Sequence, residues 1–496
     1  MTDTPTPRRI LTTAEMAAAD ARTIAAGTPG SELMERAGAA VAEAVAARWS
    51  PRPAAVLCGP GNNGGDGWVV ARRLADRGWP VRLATLVPRE RLGGDAAVAA
   101  ARWDGEVELL TDTTVDGAGL VVDALFGAGL ARPLEGPGRR ALERAAARTP
   151  IAAVDLPSGL SGDTGAVLRQ AQDEGSGYAP RAALTVTFQA LKPAHVLQPG
   201  RELCGEIVAA DIGVDLGDGM LWENGPALWA DAWPWPETDT HKYARGALMV
   251  VSGGLDATGA ARLAARAGLR VGAGLATVLC PPGALIVLAG ALEAVMVRAF
   301  ADAPQLAQRA ERASAVVIGP GAGVGERTAT NVRALAALGA PLVLDADALT
   351  SFREDPAALF ALTTPLDVMT PHPGEFERVF PGLLAASPQR IAAARAAAER
   401  AGSVVLLKGA DTVIAAPDGR AAVNVNAAPW LATAGSGDVL AGIIGGLLAQ
   451  GMSAFEAACA GAWLHGEAGR GFGPGLIAED LPDRLPPLLA ALWAER

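Results

Sequence analysis

The sequence predicts an α/β protein made of two halves, each wound around a parallel sheet. Three observations predict it. Short apolar runs of strand length alternate with helical patterns through most of the chain. Several of these runs end in small-residue turns that carry Asp or Asn, where a parallel sheet presents its ligand crevice. The alternation breaks once, between Gly213 and Asp239, where the chain turns rich in Gly, Trp and Pro and Trp233-Pro-Trp-Pro236 cannot continue a helix.

In the first half, helical patterns over residues 13–26 and 31–49 precede the first strand. Strands are expected at 54–58, 81–86, 120–123, 151–155 and 184–188, separated by helical patterns near 68–77, 95–103 and 139–148. That alternation is the mark of a Rossmann-like doubly wound sheet. A polar run within residues 168–180 interrupts it and reads as a surface insertion. In the second half, strands are expected at 247–251, 275–279, 315–318, 342–345 and 404–407. The uncharged stretch 271–292 is long enough to span a bilayer. Pro281-Pro282-Gly283 falls at its middle and 275–279 is strand-like, so strand, turn and buried helix is the expectation. The domain organisation that follows is 1–215, a linker over 216–238, and 239–496.

Composition bounds the function. Half of the 496 residues are hydrophobic and 19% are charged, which permits large cores and argues against wholesale disorder. A net charge of −11 disfavours a nonspecific nucleic-acid binder. Cys58, Cys204, Cys280 and Cys459 have no paired spacing and read as thiols of a reducing compartment. Residues 1–10 are polar and lack the apolar core of a signal peptide. A cytoplasmic homo-oligomer that engages neither nucleic acid nor membrane is expected.

The first-half turn Gly59-Pro-Gly-Asn-Asn-Gly-Gly-Asp-Gly67 joins a strand to a helix start. Gly59, Gly61 and Gly64 match the dinucleotide fingerprint, but the next strand ends Leu86-Val87-Pro88-Arg89 and lacks the ribose-binding acid. No Gly-Lys-Ser/Thr follows, so it is not a P-loop. Asn62, Asn63 and Asp66 supply oxygen ligands and hydrogen bonds for a hard cation or a polar ligand face. An Asn-Gly turn with a helix cap is the bland alternative. Two echoes weigh against it: a strand ending at Asp123 opens into Gly127-Ala-Gly129, and another ends at Asp155 before Leu-Pro-Ser-Gly159. Three such strand ends converge on one pocket, and Asp155 is a candidate acid/base.

The combination GPGNNGGDG, DALFGAGLARP and AVDLPSG resembles the NAD(P)H-hydrate epimerase domain, from about residue 11 to 214. The resemblance implies that Asn62, Asn63, Gly64, Gly65 and Asp66, with Gly127, Ala128, Gly129, Leu130, Ala131, Arg132 and Pro133, bind the hydrated dinucleotide. It implies that Asp155 is catalytic and that Asn63, Asp123 and Ser158 hold a potassium ion.

The second half carries the most informative stretch, Pro429 to Gly442. An apolar run stops at Thr433, the turn Gly435-Ser436-Gly437 follows, and Asp438 opens a helical pattern. Small residues let backbone N–H groups approach a phosphoryl group, and the helix N-terminus favours anions. Asp438 places a base beside that anion site, which suits deprotonation of a hydroxyl facing a phosphoryl group. Four further signals join it: 241–246 before a strand leading to Ser252-Gly253-Gly254, Gly319-Pro-Gly321-Ala-Gly323 after a strand, Thr370-Pro-His372-Pro-Gly-Glu375, and Lys408 to Thr412 after an apolar strand. Lys408 can meet phosphate as a point charge. Taken singly, His372 reads as structural and Lys408 as a solvated strand end.

TPHPGE, LKG and GSGD together resemble the ADP-dependent (S)-NAD(P)H-hydrate dehydratases, a ribokinase-like α/β domain, from about residue 239 onward. The resemblance implies that Lys408, Gly409, Ala410, Asp411, Thr412 and Gly437 contact the adenine nucleotide. It places Ala260, Gly321, His372 and Asp438 against the hydrated nicotinamide. It further implies ADP as co-substrate, Mg²⁺ on the phosphates and hydrated NADH or NADPH as substrate, with Asp438 as base and AMP and phosphate as products. Two other readings remain at this point: a sugar or vitamin-precursor kinase using the same Asp438, and a non-catalytic N-terminal module like that of an RNA-decapping scaffold. The acidic charge, the absence of a basic patch and the presence of Asp155 weigh against the second.

Overall fold

The computed structural model describes residues 6–169 and 177–496, which divide into one unit over Arg8–Gly219 and another over Met220–Arg496. The expected surface insertion falls largely on residues 170–176, outside the described residues.

The first unit opens on a capping box. The Thr12 side chain accepts from the Glu15 N–H and the Glu15 carboxylate accepts from the Thr12 N–H, starting the helix Thr13–Ala25. A second helix, Gly30–Arg48, turns Val41, Ala42 and Val45 inward. The strands are β1 (Ala54–Cys58), β2 (Val81–Thr85), β3 (Val107–Leu109), β4 (Leu120–Ala124), β5 (Ile151–Val154), β6 (Leu184–Phe188) and β7 (Glu206–Ala210). They pair in the order β3-β2-β1-β4-β5-β6-β7, all parallel. β1 and β4 are buried at every position because helices cover both faces, which is why β1 reads as an unbroken apolar run and β4 as one interrupted only by Asp123. The two edge strands, β3 and β7, escape the sequence pattern because they are short or half-exposed.

The fingerprint glycines serve packing. A Cβ on Gly59 would lie 1.8 Å from the Leu125 carbonyl oxygen, and one on Gly64 would lie 1.9 Å from that of Gly59. The helix Asn62–Asp76 therefore sits tight against the end of β1.

The second unit contains β8 (Leu221–Glu223), β9 (Ala247–Val251), β10 (Leu275–Cys280), β11 (Met296–Ala299), β12 (Ala315–Ile318), β13 (Leu342–Leu344), β14 (Val368–Met369), β15 (Val404–Leu407), β16 (Thr412–Ala415) and β17 (Ala421–Asn424). Their order is β11-β10-β9-β12-β13-β14-β15-β16-β17-β8, antiparallel only around β16. The segment expected as a linker, 216–238, does not behave as one. It contributes β8 to the sheet edge beside β17, and Trp229 and Trp233 are buried in this unit's core. Two large apolar rings gain more by packing than a linker gains by solvation.

The stretch 271–292 forms β10, a 3₁₀ turn and the helix Leu285–Ala291. That helix is not the buried one expected: only Leu288 is buried, and Ile286 is 83% exposed. It lies between β10 and the edge strand β11, so a single side has protein to pack on. Among the described residues no helix is long and apolar enough to cross a membrane. All four cysteines are free and buried.

The helix Ser436–Ala449 packs its Gly442 on the helix Gly259–Arg270, where an added Cβ would lie 2.1 Å from the Ala264 carbonyl oxygen. Gly→Ala ordinarily favours a helix interior by about 1 kcal/mol. Here the backbone clash reverses the sign, and Gly442→Ala is expected to destabilise by ~1–3 kcal/mol. A raised urea midpoint would refute the packing argument.

Candidate active sites

In the first unit, Asp123, Asp155 and the turn at 59–67 come from the C-terminal ends of β4, β5 and β1, neighbours in the sheet. Asn62, Asn63, Asp66, the loop Gly127 to Arg132 and Asp155 line one cavity of about 710 Å³, closed on its other side by Thr13, Asp20 and Met34 among others. Gly64, Gly65 and Pro133 are not among its lining. Gly64 faces the Gly59 backbone, and Gly65 packs on Met34 and Ala96.

Asp155 has φ +63°, a left-handed conformation that is costly for a residue with a side chain. The surroundings hold it there. Its N–H donates to the Val186 carbonyl at 2.8 Å, and its own carbonyl accepts from His195 Nε2 at 2.9 Å. Oδ2 accepts from the Ala128 N–H at 2.8 Å, while Oδ1 accepts from Thr187 Oγ1 at 3.0 Å and pairs with Lys192 Nζ at 2.8 Å. His195 accepts from the Lys192 N–H on Nδ1, so Nε2 carries the proton; burial lowers its pKa to about 4 and keeps the ring neutral. Burial alone would raise the Asp155 pKa, but the Lys192 ammonium and further hydrogen bonds outweigh it and lower the value to about 2. The Lys192 ammonium thus holds Asp155 as a carboxylate.

Lys192 and His195 were missed. Both follow β6, the strand beside β5, so the strand-end rule extended by one strand finds them.

Asp123 is fully buried. Its carboxylate accepts from the Ser158 N–H at 2.8 Å and the Ser158 hydroxyl at 2.7 Å, and burial still raises its pKa to about 6. Among the described residues no cationic side chain pairs with it. The Asn63 amide lies close to Gly127, and its Nδ2 is buried without a partner.

In the second unit, Ala260, Gly321, Asp345, His372 and Lys408 follow β9, β12, β13, β14 and β15, five successive strands of the sheet. Gly321 (φ +64°) and Ala260 adjoin: a Cβ on Gly321 would lie 3.5 Å from that of Ala260. Gly435 (φ +85°) caps the helix that carries Asp438 in its first turn. Lys408 Nζ lies 2.8 Å from Asp345 Oδ1 and 3.8 Å from Glu375 Oε2, beneath Gly437. The lysine therefore belongs to the Asp438 cluster and is only partly exposed. Its pKa is raised: the surrounding carboxylates outweigh a burial cost that is the largest single influence. Burial and the Asp345 carboxylate push Asp438 up to about 6, against the pull of Lys408.

His372 caps the helix Pro373–Val379. Its Nδ1 accepts from the Gly374 and Glu375 N–H groups, and its Nε2 lies 3.3 Å from Glu375 Oε1. Gly409 and Thr412 close a turn on each other, and Asp411 pairs with Arg390 at 3.1 Å. Sequence reasoning missed His465, whose Nε2 lies 3.0 Å from Ser436 Oγ beneath the glycine turn, and did not single out Asp345.

Two α/β units, each gathering buried carboxylates at the C-terminal edge of a parallel sheet, define a two-site enzyme. A family model described as NAD(P)H-hydrate dehydratase matches residues 248–485, and one described as YjeF-related protein N-terminus matches 30–194. The bifunctional NAD(P)H-hydrate repair enzyme Nnr of Moorella thermoacetica is 37% identical over 94% of this chain and 94% of its own. That of Escherichia coli is 35% identical over 91% and 88%. The chain belongs to the bifunctional NAD(P)H-hydrate repair enzyme family. Among solved structures, the ADP/ATP-dependent NAD(P)H-hydrate dehydratase of Bacillus subtilis, co-crystallised with ATP and Mg²⁺, aligns with 52% of this chain and 94% of its own at 26% identity and a TM-score of 0.45.

Proposed function

We propose that this chain repairs hydrated NADH and NADPH, its first unit interconverting the R and S hydrates and its second dehydrating the S epimer at the expense of ADP. The observation that carries the reading is the match to bifunctional relatives across both units, 94% of each chain for one of them. Asp155 and Asp438 stand at the crevice of each sheet in support.

In the second unit, the substrate hydroxyl is a poor leaving group. Asp438 accepts its proton and the terminal phosphoryl group of ADP transfers to the oxygen, releasing AMP. Phosphate then departs as the neighbouring ring carbon gives up a proton to solvent, and the ring double bond of the dihydronicotinamide is restored. The N–H groups at Gly435 to Gly437 face the transferring charge. Gly437 and the turn Lys408 to Thr412 are the proposed nucleotide contacts. Ala260, Gly321 and His372 are the proposed nicotinamide side. Lys408, salt-bridged to Asp345, reaches phosphate only by sharing that carboxylate. Among the described residues no group of three or more His, Cys, Asp or Glu is arranged for a metal, so Mg²⁺ would arrive on the nucleotide phosphates.

In the first unit, Asn62 to Asp66 and Gly127 to Pro133 are the proposed dinucleotide contacts. A buried Asp123 bonded to the Ser158 hydroxyl, without a cationic partner among the described residues, fits a hard monovalent cation. Asn63, Asp123 and Ser158 would hold potassium, which would supply fixed positive charge there.

Recovery of dihydronicotinamide absorbance from both NADPH-hydrate epimers, with ADP, potassium and Mg²⁺, tests the reading. Complete recovery, faster than the unaided interconversion, is expected. Recovery that stalls after one epimer removes the epimerase, and none with ADP or ATP removes the dehydratase and favours the kinase.

Because Asp438 must be ionised to accept a proton, dehydratase kcat/KM is expected to fall as pH drops through about 6. Lys408→Met removes the charge that lowers the Asp438 pKa, so the acid limb should move to higher pH. An unmoved limb in that variant would count against Asp438 as the base.

A further inference from the structure

Epimerisation needs an acid, and Asp155 is not one. The argument rests on reading the first unit as the epimerase. Dihydronicotinamide is a cyclic enamine, and water added across it places the hydroxyl on the carbon bonded to the ring nitrogen. Such a carbon inverts by losing water to form an iminium and regaining water on the opposite face. The departing hydroxyl has to be protonated by a group that carries a proton near neutral pH. Asp155, paired with Lys192 at 2.8 Å, is committed to the ionised state.

One other carboxyl lining the cavity has the opposite surroundings. Asp66, in the first turns of the helix Asn62–Asp76, is 8% exposed and lines the same cavity as Asp155 and Asp20. Among the described residues no hydrogen bond or ion pair engages its carboxyl group. Of the charged groups around it, the Asp155 and Asp20 carboxylates oppose its ionisation and Lys192 alone favours it, the ammonium already being paired. The Cys58 thiol behind it is itself pushed up by burial and stays neutral.

We propose that Asp66 is the proton carrier of epimerisation, while Asp155 stays ionised and stabilises the iminium. The C–O bond breaks with both electrons on oxygen. That oxygen takes the Asp66 proton and leaves as water, while the nitrogen lone pair closes the C=N bond. Water then attacks the other face, a proton returns to the Asp66 carboxylate, and the nitrogen regains its lone pair. Only the configuration has changed. Burial with like charge favours the protonated form of Asp66, so two carboxylates take two roles set by their environments.

The test supplies the R epimer of hydrated NADPH to the full chain without nucleotide, which silences the dehydratase, and follows the S epimer by chromatography. Asp66→Asn, which keeps the side-chain shape, is expected to lower kcat by about 10²–10⁴-fold with KM little changed. Wild-type kcat should decline as pH rises and the acid is lost, and Asp66→Glu should keep activity with that alkaline limb displaced. A structural role would not move the limb. Wild-type kcat in Asp66→Asn, or an identical limb in Asp66→Glu, overturns the proposal alone. A wild-type chain that does not speed the interconversion overturns the epimerase reading as well.

Discussion

Asp438→Asn is expected to lose about 10²–10⁴-fold in dehydratase kcat/KM while epimerising at the wild-type rate. The amide keeps the shape of the side chain at the helix start but cannot accept a proton. Its effect on stability should carry the opposite sign. The folded state raises the Asp438 pKa from 3.8 to about 6, so it binds that proton more tightly than the unfolded chain does. Stability therefore falls as pH climbs from about 4 through 6, and above that the repulsion from Asp345 and the burial cost are felt in full. Asn removes the charge that causes this. The variant should be as stable as the wild type at pH 7, or more so, and should lack that part of the pH dependence. Dehydratase activity retained in a folded Asp438→Asn chain would sink the base assignment. Joint loss of both activities would point to misfolding instead.

The parts of each site legible in the sequence are those carried by local pattern. A strand that ends in Asp before a glycine turn can be read from a dozen residues, as at Asp123 and Asp155, and so can a glycine turn that opens a helix on an Asp, as at Asp438. What was not legible depends on which strands adjoin. Lys192 looks like an ordinary solvated lysine after an apolar run, and only the pairing of β6 with β5 brings its ammonium to Asp155. Asp345 and Lys408 lie 63 residues apart and meet because β13 and β15 flank β14. The same limit explains the linker. Nothing local to Leu221–Glu223 announces a strand, because its partner, β17, lies two hundred residues onward. The helix Leu285–Ala291 erred in the other direction: its residues are apolar, but the edge of the sheet gives them one side to pack on.

Lys192→Met is expected to destabilise the first unit by about 3–5 kcal/mol, the range for removing one partner of a buried pair. The side chains of Lys192 and Asp155 are 4% and 14% exposed, and the ammonium also donates to Thr187 Oγ1 at 2.7 Å. Met fills the space of the lysine stem but leaves the Asp155 carboxylate buried and uncompensated. Its backbone is already held in a left-handed conformation by contacts that assume an ionised side chain. The double variant Lys192→Met with Asp155→Asn carries neither charge and should recover most of the loss, although its epimerase activity should stay low. Stability against pH gives the sharper reading. In the wild type the folded pKa of Asp155 lies at about 2, below its unfolded value of 3.8. The pair's contribution is therefore present above about pH 4 and is lost as pH falls towards 2. Without Lys192, burial raises the same pKa, so the contribution of Asp155 reverses and stability declines as pH rises above about 4. Calorimetry of the two chains across that range should show slopes of opposite sign at this position. A Lys192→Met chain with the wild-type slope would mean that something other than the lysine holds Asp155 ionised.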